Sequence, residues 1–260
     1  MNVPENKKII VTIEARMTSS RLPGKVLLES LEKPMLQLMV ERLKNMKYAD
    51  DIVIATTVNK SDDPIIKLAE EIGVKYFRGS EEDVLQRVLG AAHENRADII
   101  VELTGDCPLI DPALIDQVVE LYLSEDCDYA TNCLTQTYPL GMETEVFSTE
   151  LLEIADKEGD TLEDREHVSW FFVRNPDRFK LVNTEASAEL QWPELRLTLD
   201  EEPDYRLIDA VFSHFKTTYN NCSCNEIIKF LKEHPELTAF NENIEHRGDW
   251  ETLAKGEKQE

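Results

Sequence analysis

Apolar runs and turn residues alternate along the chain in a rhythm that predicts strands and helices in turn. Ile9 to Ile13 is a short β-branched run, the pattern of a buried strand, and it empties into a loop ending near Leu27. Met35 to Met46 places apolar residues at helical spacing, and Asp51 to Thr56 reads as a second strand. A helix follows over Asp63 to Ile72, with Asp62 or Ser61 available as its cap and Gly73 as its stop, then a strand from Val74 to Phe77. The loop Arg78 to Asp83 opens a helix through Ala92, and Asp98 to Thr104 forms the clearest later strand. Asp111 and Pro112 start a helix to Leu123, and Tyr129 to Asn132 resembles another strand. Strands alternating with helices in this way predict a Rossmann-like α/β fold, a mostly parallel sheet with helices on both faces.

The rhythm changes at Leu134. Tyr138 to Phe147 reads as irregular or β-like, Thr149 to Lys157 as a helix, and Glu163 to Val168 as the lead into an aromatic helix containing Trp170, Phe171 and Phe172. With a strand at 179–184, this marks a small α+β insertion at 134–190 after a core at 1–133. Residues 191–235 return to the core through a strand at 195–199 and helices from Tyr205 to Phe215 and at 225–233. Residues 236–260 form a polar tail, expected to fray.

Charge sharpens this picture. The chain carries −24 overall, which argues against a nucleic-acid polymer as partner, since such binding draws on cations. Residues 1–50 nevertheless hold nine Lys or Arg against six Asp or Glu, a balance of +3 that leaves −27 for the rest. A locally basic loop on an acidic body suits a small polyanion. No run approaches the roughly 18 apolar residues of a membrane span, and the first residues, Pro4, Glu5, Lys7 and Lys8 among them, lack a signal peptide's apolar stretch. A cytoplasmic protein with no membrane partner is the expectation. Five cysteines without a repeating framework fit reduced thiols.

The candidate chemistry gathers at strand ends, where open α/β sheets bind ligands. Arg16, Arg21 and Lys25, with Thr18, Ser19, Ser20 and Gly24 between them, form a phosphate-handling loop; arginine offers a fork of donors, lysine a point charge, and glycine close backbone approach. It is neither a Walker loop nor a dinucleotide turn. Asp106 and Asp200 end apolar strands far apart in sequence. Either alone reads as a cap or loop former, but together with the cationic loop they suggest two hard oxygen ligands for Mg²⁺. Arg78, Gly79 and Ser80 read equally well as a base or phosphate contact or as a turn capped by Ser80, while Glu81, Glu82 and Asp83 fit a first helical turn. Glu143, Glu145, Arg165 and His167 are polar residues among apolar neighbours, and His167 reads as a general base, a donor to substrate or a structural histidine.

Glu14-Ala15-Arg16-Met17-Thr18-Ser19-Ser20-Arg21-Leu22-Pro23-Gly24-Lys25-Val26-Leu27 resembles the signature of the cytidylyltransferases that make CMP-activated sugar acids. Similar support comes from 78–87, 104–111, 143–147, 165–168 and 196–200, so that the overall pattern most resembles the branch named after spore coat polysaccharide biosynthesis protein F. The resemblance implies CTP as co-substrate, Mg²⁺ as cofactor and a homodimer built through the insertion. It implies that Arg16 and Lys25 bind the triphosphate, that Ala15, Thr18, Ser19, Arg21, Gly24 and Gly105 shape the nucleotide site, and that Arg78, Gly79 and Ser80 lie near the cytosine. Asp106 and Asp200 would hold the metal. Asn132, Glu143, Glu145, Arg165 and His167 would line the acceptor side, with 1–133 binding nucleotide and 134–190 binding acceptor. The usual Pro-Ala-Arg opening is Glu14-Ala15-Arg16 here, and Cys107 follows the loop aspartate.

The implied reaction is attack of an acceptor oxygen on the α-phosphorus of CTP, expelling pyrophosphate, for glycan biosynthesis. A hydroxyl acceptor would use a base such as Glu143 or His167; a phosphate acceptor would not. Two alternatives remain at this point. A nucleotide-sugar-dependent glycosyltransferase shares an acidic metal loop, although it usually presents Asp-x-Asp. A non-catalytic nucleotide-binding module would bind CTP without turnover.

Overall fold

A computed structural model describes residues 7–244 of the chain. Pro4, Glu5 and the part of the expected tail at 245–260 lie outside the described residues. In chain order the strands are β1 (Ile9–Glu14), β2 (Glu29–Ser30), β3 (Lys33–Pro34), β4 (Asp51–Thr57), β5 (Lys75–Gly79), β6 (Ile99–Thr104), β7 (Tyr129–Thr131), β8 (Glu145–Ser148) and β9 (Leu181–Asn183). The helices are α1 (Met35–Leu43), α2 (Asp63–Ile72), α3 (Val84–Asn95), α4 (Pro112–Ser124), α5 (Thr149–Glu158), α6 (Leu162–Glu166), α7 (Trp170–Val173), α8 (Glu202–His214), α9 (Cys224–Glu233) and α10 (Pro235–Thr238).

Among the described residues the main sheet has seven strands in the order β5-β4-β1-β6-β8-β7-β9. Pairing is parallel except at β8, which runs antiparallel to both β6 and β7. Side-chain alternation builds the layers. Ile9, Val11 and Ile13 of β1 join one core with α1, α2 and α4, while Ile10 joins a second core with α3, α5 and α7. Because both faces are covered, the strands read as continuous apolar runs, which is why they were legible. The chain continues outward from β1 to β4 and β5 in one direction and crosses to β6 in the other, so the carboxyl ends of β1 and β6 border a topological switch point.

The segment 134–190 is woven into this sheet: β8 lies between β6 and β7, and β9 pairs with β7. Residues 195–199, expected as a strand, do not join it. Leu195, Leu197 and Leu199 do alternate, but they insert into a third core formed with α8 and α9. Their backbone pairs with the 140 loop instead, Leu197 N donating to Leu140 O at 2.8 Å and Leu140 N to Leu195 O at 2.9 Å. The expected aromatic helix divides into α6 and α7, and Trp170, Phe171 and Phe172 are core residues. The strand expected to end at Phe77 runs on to Gly79, and Glu81 to Asp83 precede α3 rather than forming its first turn. Asp62 sits before α2 without capping it; its carboxylate accepts from Met17 N and Thr57 Oγ1 instead. All five cysteines are free, and among the described residues no helix is long and apolar enough to cross a membrane.

Candidate active site

The loop after β1 owes its shape to backbone geometry. Gly24 adopts φ +72°, a left-handed conformation that favours glycine, and its N–H donates to Met17 O at 2.9 Å, closing the loop on itself. Gly105, after β6, donates to Glu14 O at 2.8 Å, and a Cβ there would lie 2.7 Å from the same oxygen. The two loops therefore touch. Leu199 N donates to Asp106 O at 2.7 Å, bringing the third functional loop onto the second.

These contacts frame an open cleft of about 380 Å³ at the carboxyl ends of β1 and β6, lined by Ala15, Arg16, Ser19, Ser20, Arg21, Lys25, Gly105, Asp106, His167 and Asp200. At its centre Lys25 Nζ lies 2.7 Å from Asp106 Oδ2 and 2.8 Å from Asp200 Oδ1. Arg21 reaches the same Asp200 oxygen at 2.8 Å, and Arg16 pairs with Glu81 at 3.5 Å. Burial alone would pull the Lys25 ammonium's pKa down; the two carboxylates outweigh it and leave it raised. Burial pushes Asp106 up, but Lys25 and the Thr104 hydroxyl hold it below the usual carboxylate range. Lys25 and Asp106 thus stabilise each other's charged forms.

The donor set fits a divalent cation. Asp106 and Asp200 already converge on one compact positive charge, and Mg²⁺ is typically held by one or two carboxylates with substrate phosphates completing the shell. Among the described residues no group of three or more His, Cys, Asp or Glu forms a metal cage.

Several expected site residues lie elsewhere. Arg78 does not line the cleft: Nε donates to Thr57 O and Nη2 to Asn59 O, each at 2.8 Å, and Nη1 pairs with Asp63 at 2.9 Å. Gly79 is the last residue of β5, and Ser80 Oγ accepts from Asp83 N at 3.0 Å within the turn; Asp83, not Ser80, caps α3. Thr18 donates to Glu81 rather than facing the cleft. Arg165 is engaged by Asp83 and Asp156 at 2.5 and 2.8 Å. Asn132 joins its own loop, donating to Met142 O and accepting from Thr144 N. Glu143 accepts from Gly141 N at 2.6 Å and from Gln136 Nε2 at 3.3 Å. Glu145 sits in β8 directly opposite Glu102 of β6. Arg78, Arg165, Asn132 and Glu143 meet nearby backbone or polar side chains, and sequence spacing cannot register that.

Glu14, Val26, Val84, Arg87, Thr104 and Glu166 complete the lining. Arg87 carried a readable signal, a cation on the face of α3 that otherwise presents Val84, Val88 and Ala91 to the core. Glu14 and Glu102 are likewise acids within apolar strands. Burial raises Glu14 and holds Glu102 well above the ordinary range, with Glu14 and Glu145 beside it adding to the shift.

A family profile described as cytidylyltransferase matches residues 10–235. An uncharacterized protein of Methanocaldococcus jannaschii is 39% identical over 240 residues, covering 92% of this chain and 97% of its own length. The spore coat polysaccharide biosynthesis protein SpsF of Bacillus subtilis is 33% identical over 90% of this chain and 98% of its own. A solved cytidylyltransferase from Leptospira borgpetersenii superposes with a TM-score of 0.85 at 35% identity, over 94% of this chain and all of its own.

Proposed function

The chain belongs to the cytidylyltransferase family, and from that premise we propose that it transfers CMP from CTP to a sugar acid or related small acceptor, releasing pyrophosphate, in the biosynthesis of a surface polysaccharide or glycan. The observation that carries the site assignment is Lys25 Nζ held between Asp106 and Asp200 at 2.7 and 2.8 Å beside Arg16 and Arg21.

Every cation of the loop is paired with a carboxylate that a ligand can replace. Arg16 exchanges Glu81 for phosphate oxygens, and Arg21 and Lys25 do the same with their aspartate partners. Asp106 and Asp200 would hold Mg²⁺, which would supply positive charge against the phosphoryl oxygens and the leaving group. Arg16 and Lys25 align the chain of phosphates so that the acceptor oxygen attacks in line. No protein nucleophile is required. Where the acceptor is a hydroxyl, His167 is placed to take its proton, because it lines the cleft whereas the Glu143 carboxylate is turned to Gly141 and Gln136. A glycosyltransferase reading has less support, since Asp106 is followed by Cys107 and the matching profile is that of cytidylyltransferases.

Pyrophosphate release from CTP and Mg²⁺ in the presence of sugar acids, and then of phosphorylated or phosphonate metabolites, tests the reading. At least one sugar acid is expected to support turnover, and Asp106→Ala to lower kcat/KM by about 10²–10³-fold. Wild-type inactivity across the panel would overturn the assignment to transfer; an undiminished Asp106→Ala enzyme would overturn the site.

A further inference from the structure

Beyond the phosphate-binding loop the cleft reaches Glu14 of β1 and Arg87 of α3, neither of which the triphosphate chemistry uses. Arg87 is only 2% exposed, yet its Nε has no hydrogen-bond partner. Nη1 donates to the backbone oxygens of Ser80 and, at 3.4 Å, Glu81. Its nearest carboxylate is Glu14, with Nη2 3.8 Å from Oε2, too long for a hydrogen bond. Arg87 lines the cleft with its Nη2 out of hydrogen-bond range of Glu14, so the guanidinium has donor capacity to spare there. Glu14 supplies the opposite polarity. Its carboxylate lies on the cleft wall, with the carboxyl group of Glu102 buried behind it, and its oxygens can accept from a ligand.

We infer that Glu14 and Arg87 together read the polar edge of the nucleobase: Glu14 accepts from the exocyclic amine of cytosine, and Arg87 donates to its ring nitrogen or carbonyl. The inference rests on the cytidylyl-transfer reading and adds the residues that select the base. With the triphosphate at Arg16, Arg21 and Lys25, the nucleoside and the acceptor share the remaining cleft. The adjoining acceptor and donor match the amine and acceptor atoms of cytosine. Uracil carries a carbonyl where cytosine carries the amine, which sets two acceptors against each other at Glu14, so the pair discriminates CTP from UTP. Glu14 occupies the position where the resembling enzymes usually have proline, so this selectivity would be a property of this chain's own sequence.

Equilibrium binding of CTP, UTP and N4,N4-dimethyl-CTP to the full chain with Mg²⁺ provides the test. Wild type is expected to favour CTP over both others by roughly tenfold or more. Glu14→Gln, whose amide can donate to the uracil carbonyl, is expected to narrow the CTP/UTP ratio by about tenfold, and Arg87→Lys to weaken CTP. Equal wild-type affinity for CTP and its dimethyl analogue would overturn the inference without any variant having to fold. An unchanged CTP/UTP ratio in Glu14→Gln would overturn it too, as would a Glu14→Gln effect confined to the acceptor KM. Wild type binding no nucleoside triphosphate at all would instead bring down the transfer reading itself.

Discussion

Asp200 divides its two oxygens between two charge clusters that behave differently. Oδ1 faces the cleft and meets Lys25 and Arg21, each at 2.8 Å, where side chains remain partly exposed. Oδ2 faces inward and meets Arg196 at 2.6 Å; Arg196 also pairs with Asp204 at 3.0 Å, and the side chains of Arg196 and Asp204 are 4% and 0% exposed. Asp204 further accepts from Asp200 N, Glu201 N and Asn241 Nδ2, so almost every lone pair is used. The outer cluster has partners that a polyanion or a metal can replace; the inner one has none to give. A charged residue near a site is therefore functional only where its counter-charge can leave.

Substituting the two clusters separately sharpens this most. Asp204→Ala removes one of the two carboxylates paired with the buried Arg196 and the acceptor of two backbone N–H groups at the start of α8, so it should cost about 3–5 kcal/mol of unfolding free energy. Lys25→Ala should cost only about 1 kcal/mol in stability, yet lower kcat/KM by about 10²–10³-fold. Chemical denaturation alongside pyrophosphate release measures both. Equal destabilisation by the two substitutions would erase the distinction.

The same distinction explains what could be read from the sequence. The strands of the sheet and the cationic loop were legible because apolar runs and Gly24 act locally, through burial and backbone conformation. Asp106 and Asp200 could be paired because both follow apolar runs that end at one edge. Arg78, Arg165 and Asn132 read as site residues from the sequence because a polar residue next to a motif looks the same whether its partner is a ligand or, as here, a group of the protein nearby. Residues 195–199 misled because alternation specifies burial on one side, and a helical layer satisfies it as well as a sheet does. Arg87 lies within the stretch 78–87, and its place on an apolar helix face marks it in the sequence.

Glu143 extends the comparison to a carboxylate that pairs with no cation among the described residues. Burial lifts it to about 7, against which the N–H donors of its own backbone, Gly141 and Gln136 pull only partly. A folded-state pKa raised above the unfolded value of about 4.5 favours the native state at low pH, and that advantage is lost as pH rises from about 4.5 through 7. Glu143→Gln cannot ionise and keeps an oxygen for Gly141 N. Between pH 5 and pH 8 its unfolding free energy should therefore fall by roughly 2 kcal/mol less than that of wild type. Urea titrations at both pH values decide it, and parallel pH profiles would show that Glu143 ionises freely in the folded protein.

Arg165 gives the smallest effect and the most direct check on the acceptor side. Its guanidinium ties the loop before α3 to α5 through Asp83 and Asp156, and it does not line the cleft. Its side chain is 21% exposed, so the paired charges are partly screened and Arg165→Ala should cost about 1 kcal/mol in stability. Because Asp83 also caps α3, the loss should appear first as earlier hydrogen exchange at the start of that helix. The acceptor KM and the CTP KM should each stay within about twofold of wild type, the range expected when no ligand contact is removed. A large rise in the acceptor KM alone, with CTP unaffected, would mean that Asp83 and Asp156 release Arg165 to the acceptor as Asp200 releases Lys25, and Arg165 would then belong with the exchangeable charges.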